Sequence, residues 1–253
     1  MDGIITWHQG RCGSSVLGNL LNQHPHIESA NEIFSRHMPR RRGNAPIPNI
    51  EDVLTNHIEH TQKPILNIEI KYLRSQNISL YQKNEIEYWF SKTSEFGFNK
   101  HILIHRRNGL RRILSHLMAQ RTGIYVQKEE KLSTTERAFN MNCLNIQEGT
   151  ESRGLLEWLD HYEESYLEMR QALRKWCRAQ KIPEPLEIIF EESIESNPII
   201  AYKAVCDWLV EKQEHPQLNF KRINPEPFSQ LIKNWNEIKK LVEASKHAWM
   251  VNE

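Results

Sequence analysis

The chain has 253 residues, enough for one large α/β domain or two small ones. Thirty-three Lys and Arg against 32 Asp and Glu leave a formal net charge of +1, so no global field selects nucleic acid or an anionic membrane, and any anion site must be built locally. The apolar share of 39% and charged share of 26% exclude a disordered chain, and no run approaches the ~20 apolar residues of a membrane helix.

Residues 3–7 predict a short buried strand, 9–15 a Gly-containing turn, and Val16, Leu17, Leu20 and Leu21 one face of a helix that Pro25 stops. Ile4-Ile5 runs straight into Thr6-Trp7-His8, which is too short an apolar segment for a secretory leader. Cys12, Cys143, Cys177 and Cys206 lie far apart without metal-like spacing, as expected of free thiols in a cytoplasmic protein. Residues 36–49, basic and then Pro- and Asn-rich, predict a surface excursion. A helix is expected over 51–60, a strand over 65–70, a helix over 84–94 and a strand over 101–105. Helix 110–120 follows, and 121–153 is polar without a clear period.

Residues 155–181 have a long helical period in Leu159, Tyr162, Tyr166, Met169 and Leu173, which Pro183 and Pro185 end. A fourth strand is expected over 186–190, a helix from Pro198 through Leu209, and a final helix over 228–241. Strands alternating with helices imply an α/β fold with a central parallel sheet of about four to five strands covered on both faces.

The segment Trp7-His8-Gln9-Gly10-Arg11-Cys12-Gly13-Ser14-Ser15 sits where such folds place a ligand, between a strand's carboxyl end and a helix start. Gly10 and Gly13 permit a sharp turn, the helix start offers N–H groups, Ser14 and Ser15 add hydroxyls, and Arg11 adds a forked cation. The Walker A pattern fails here, because Ser14 rather than Lys follows Gly13. After the third strand comes Arg107-Asn108-Gly109, with Ser115 eight residues beyond Arg107. That spacing is just over two helical turns, so the two side chains can share one face.

The basic-x-Gly-Ser-Ser order at Arg11 to Ser15 resembles the 5′-phosphosulfate loop of sulfotransferases that use 3′-phosphoadenosine 5′-phosphosulfate (PAPS). It is closest in kind to the carbohydrate and bacterial branch, with Cys12 in place of a usual Ser. Leu20-Leu21-Asn22-Gln23-His24-Pro25 is similar to the helix that follows in that branch. Arg107 and Ser115 resemble the family's 3′-phosphate contacts, with Gly109 where Pro is usual. Leu186-Glu187-Ile188-Ile189-Phe190-Glu191-Glu192 and Ile232-Lys233-Asn234-Trp235-Asn236-Glu237 extend the likeness over residues 3–241.

The resemblance implies a single P-loop-like α/β/α domain over 1–253, with 36–63 and 120–155 as acceptor-side insertions. It implies PAPS as co-substrate, 3′-phosphoadenosine 5′-phosphate (PAP) as product, and no metal. Arg11, Cys12, Gly13, Ser14 and Ser15 would hold the 5′-phosphosulfate, and Arg107 and Ser115 the 3′-phosphate. Arg11 would also stabilise the transferring group, Glu32 would act as base with His8 as the other candidate, and Lys71 would lie on the acceptor side. Arg106, Arg111 and Arg112 are expected to be a solvated helix start.

The acceptor implied is a carbohydrate, glycolipid or other small alcohol, and neither a nucleic-acid partner nor a transmembrane segment is expected. A P-loop kinase and an inactive PAP-binding relative are the competing readings; the third strand's His105-Arg106 ending, where a kinase needs Asp for Mg²⁺, speaks against the kinase.

Overall fold

The computed structural model describes residues 2–38, 41, 43–81, 86–125, 138–219 and 226–252. It divides into two compact units, Met1–His105 with Ser165–Leu218, and Arg106–Glu164 with Asn219–Glu253. Arg40, Arg42, the expected helix start at residue 84 and residues 126–137 of the second insertion lie outside the described residues.

The described strands are β1 (Asp2–His8), β2 (Ile27–Ser29), β3 (Ile65–Lys71), β4 (Phe98–His105), β5 (Ile146–Glu148), β6 (Glu151–Arg153) and β7 (Leu186–Ile189). The described α-helices are α1 (Ser14–Asn22), α2 (Ile50–His60), α3 (Ile86–Glu95), α4 (Gly109–Thr122), α5 (Leu155–Gln180), α6 (Phe190–Ser193), α7 (Ile199–Leu209), α8 (Phe228–Leu231) and α9 (Trp235–Glu243).

The first unit is built on a five-stranded sheet ordered β2-β3-β1-β4-β7, parallel at every pairing. Strand alternation sends neighbouring residues to opposite cores. Ile5, Trp7, Leu66, Ile68, Ile70 and Leu103 pack with residues of α2, α3 and the later part of α5. Ile4, Ile102, Ile104 and Ile188 pack with residues of α1 and α7. Both faces are thus covered, as the strand–helix alternation implied. Gly3 is needed where β1 meets β4, since a Cβ there would lie 2.6 Å from the Phe98 ring.

The second face turns polar toward the strands' carboxyl ends. Thr6 Oγ1 donates to Asn67 Oδ1 at 2.8 Å, and Asn67 Nδ2 donates to Ser29 Oγ at 3.0 Å. One row further on, His8 and Glu69 follow, both buried. The sheet edge at β2 was not expected from the sequence. Its pairing of Ser29 with Asn67 delivers the following residues to the carboxyl end of β3.

The second unit contains α4, the β5–β6 hairpin, the first turns of α5, and α8 and α9. The expected helix over 228–241 is instead two helices, α8 and α9, broken at residues 232–234. The break has a backbone cause. Phe139 N–H donates to Leu231 O at 3.1 Å, Lys233 N–H donates to Phe139 O at 2.8 Å, and the Asn234 amide both accepts from Met141 N–H and donates to Met141 O. A neighbouring segment takes the groups that a continuous helix would have paired internally.

Candidate functional site

The turn after β1 is held in a conformation that few residues adopt. Gly10, Arg11 and Gly13 have φ of 83°, 58° and 85°. Gly13 caps α1, and its carbonyl accepts from both Val16 N–H and Leu17 N–H at 3.1 Å. The N–H groups of Ser14 and Ser15 therefore lie ahead of the helix's first internal bonds, where a helix favours an anion. A Cβ on Gly13 would stand 2.6 Å from Ile194 Cγ2, and one on Gly10 3.1 Å from Lys71 Cε. Cys12 and Ser14 are buried, and Arg11 and Ser15 are half-buried.

Glu32, His8, Glu69 and Lys71 come together beside this turn. Lys71 Nζ lies 2.8 Å from Glu32 Oε1. Burial raises the Glu32 pKa, but Lys71 and, less strongly, Ser35 hold the carboxyl below its usual range. Asn31, at φ 56°, turns the chain before Glu32 and accepts Glu69 N–H at 2.8 Å.

His8 is wholly buried. Its Nδ1 accepts the Gly10 N–H at 3.1 Å, and its Nε2 lies 3.4 Å from Glu69 Oε2. Burial opposes charge on the ring, whereas Cys12 and Glu69 favour it and raise its pKa. The hydrogen-bond geometry pulls the other way, because a proton on Nδ1 would displace the Gly10 N–H. An Nδ1 that accepts the Gly10 N–H requires the neutral ring with its proton on Nε2. Ligand atoms of His8, Glu32 and Glu69 fall within 4.8 Å of one another. A protonated Nε2 has no lone pair for a cation, and the Lys71 ammonium already supplies the positive charge at Glu32.

The second unit carries Arg107 and Ser115. Arg107 is exposed, two residues beyond β4 in the chain, and Ser115 is largely buried on α4. Asn108 caps α4 by accepting Arg111 N–H at 2.9 Å, and its Nδ2 donates to Met250 O at 3.0 Å, so the turn is fixed without a proline. The expectation of a solvated basic helix start fails at Arg106 and Arg112, both buried. Arg112 forks onto Glu148 at 2.9 and 2.7 Å and lies 3.9 Å over the Tyr162 ring, and Tyr162 Oη donates to Glu148. Burial raises the Glu148 pKa, but Arg112 outweighs it and holds the carboxyl at about 2. Arg111 is also engaged, donating to Glu226 O at 2.8 Å.

Among solved structures the chain is similar to a sulfotransferase from Alicyclobacillus acidocaldarius, with a TM-score of 0.52 and 13% identity over 99% of this chain and 94% of that one. The chain has the fold of a sulfotransferase. No protein-family model and no curated protein matches it. At that identity the likeness is one of fold, and the chemistry has to be argued from side chains. No described helix is long and apolar enough to cross a membrane.

Glu69 escaped the sequence reading. Its signal was available in Ile65-Leu66-Asn67-Ile68-Glu69-Ile70-Lys71, where every second residue is polar in an otherwise apolar strand. That pattern marks one sheet face that turns from apolar to charged along its length.

Proposed function

We propose that the chain is a sulfotransferase that moves a sulfuryl group from PAPS to the hydroxyl of an acceptor, a carbohydrate or glycolipid. The reading is carried by the turn at 9–13. Three left-handed residues bend it, a helix start opens behind it, and a cation and a paired carboxylate stand beside it. In this reading the N–H groups from Cys12 to Ser15 hold the 5′-phosphate, and Arg11 neutralises charge on the transferring group. Arg107 and Ser115 take the 3′-phosphate, an assignment that rests on the sequence resemblance.

The acceptor oxygen attacks sulfur in line with the bridging oxygen. A new O–S bond forms as the bridging S–O bond breaks, and PAP leaves with the electron pair. The hydroxyl proton goes to Glu32, which Lys71 keeps ionised and ready to accept it. His8 is wholly buried with its Nδ1 accepting the Gly10 N–H and its Nε2 3.4 Å from Glu69 Oε2, and in this reading it serves by holding Gly10 rather than by taking the substrate proton.

The test is calorimetric titration of the whole chain with PAP in the absence of metal, repeated with Arg107→Ala. Binding that weakens at least tenfold in the variant, about 1.4 kcal/mol, is the expected result. Absence of binding by the unaltered protein overturns the proposal. Transfer of radiolabelled sulfate from PAPS to a panel of glycans and glycolipids then identifies the acceptor, with Glu32→Gln as the slow control.

A further inference from the structure

Glu69 is 1% exposed, and neither carboxylate oxygen makes a hydrogen bond of normal geometry among the described residues. His8 Nε2 lies 3.4 Å from its Oε2. On its other side α1 passes so close that a Cβ on Gly18 would stand 2.8 Å from Oε1. A carboxylate so placed is costly to bury, and an apolar side chain of the same volume would pack there at least as well. Its presence therefore calls for a task other than stability.

Position supplies the task. His8 stands between Glu69 on one ring nitrogen and the Gly10 N–H on the other. A neutral imidazole can accept at Nδ1 only while its proton is on Nε2, and an acceptor facing Nε2 selects that tautomer. Gly10 is the first of the left-handed residues in the turn.

We propose that Glu69 is a positioning residue: it receives the His8 Nε2–H, fixes the ring so that Nδ1 accepts the Gly10 N–H, and thereby holds the turn at 9–13 in its anion-binding shape. The structural half of this inference stands on the two contacts of His8 alone. The functional half rests on the reading that this turn holds the donor's phosphosulfate.

Glu69→Met removes the acceptor at nearly constant volume, while Glu69→Gln keeps a carbonyl oxygen to accept from Nε2. Nitrogen-15 spectra of the histidine rings, assigned to His8 by a His8→Gln control, report the tautomer, and amide exchange reports Gly10. In Glu69→Met, His8 is expected to lose its Nε2–H tautomer and Gly10 to exchange at least tenfold faster, with PAP affinity falling at least tenfold. In Glu69→Gln both readouts should stay within about threefold of the unaltered protein.

An unchanged His8 tautomer and unchanged Gly10 exchange in a folded Glu69→Met overturn the proposal, as does equal loss in both variants. If Glu69→Met does not fold, Gly18→Ala takes its place. Its methyl displaces the carboxylate without altering its charge and should produce the same two changes, and their absence overturns the proposal equally. Should the unaltered protein fail to bind PAP, the tautomer and exchange readouts still decide the role of Glu69, and the sulfotransferase reading falls by itself.

Discussion

Alanine at Gly13 is expected to destabilise the chain by two separable effects. The residue sits at φ 85°, where a side chain costs about 1–2 kcal/mol. The added methyl would also lie 2.6 Å from Ile194 Cγ2 and 3.1 Å from Phe190 Cδ2, an overpacking of about 1–3 kcal/mol. Together Gly13→Ala should lose about 2–5 kcal/mol, a large share of the roughly 5–15 kcal/mol that keeps a domain folded. Gly123 supplies the control. It has φ 70° with nothing among the described residues within 4 Å of an added Cβ, so Gly123→Ala should lose only the conformational part, about 1–2 kcal/mol. Urea unfolding followed by circular dichroism measures both. Equal losses in the two variants would refute the packing of the turn against Ile194 and Phe190. PAP titration of Gly13→Ala should show weaker binding, because the N–H groups from Cys12 to Ser15 move with the cap.

Two further substitutions test the ion pairs. Arg112→Met leaves Glu148 buried without its cation and should cost about 3–5 kcal/mol, whereas adding Glu148→Leu should recover most of that loss in the same urea assay. The pair's pH dependence follows from the lowered Glu148 pKa: its contribution is present above the ordinary carboxyl pKa of 4.5 and is lost as pH falls through about 2, so Arg112→Met should flatten the acid limb of stability. Lys71→Met removes a charge that holds the Glu32 pKa down, so the acid limb of the transfer rate should move to higher pH. An acid limb that stays in place in Lys71→Met would remove Glu32 from the role of base.

What the sequence made legible was what local rules govern. The β1–turn–α1 unit announced itself through an apolar run, two glycines and a helical period, and the structure has it at Asp2–His8 and Ser14–Asn22. β2 was invisible because three residues with Glu28 in the middle carry too little pattern to register, and its existence depends on the pairing with β3. That omission matters for the site, since β2 is what carries Glu32 to Lys71. The break between α8 and α9 was likewise out of reach, because Phe139 and Met141 make it from far along the chain. Arg112 looked solvated because a run of arginines at a helix start normally is. Its partner Glu148 lies in a polar stretch with no helical or strand period to place it.

The order of the sheet has a consequence for how the chain is made. β1 and β4 emerge early in synthesis and become neighbours, but the far edge of β4 finds its partner only when residues 186–189 have been translated. The ribosome meanwhile produces the first segment of the second unit, whose remaining segment comes last, from Asn219 onward. A chain stalled or cleaved anywhere between β4 and β7 therefore presents a row of unpaired backbone groups along the apolar run Ile102-Leu103-Ile104 of β4. Such an edge recruits other strands, so incomplete products of this gene should aggregate rather than persist as soluble fragments.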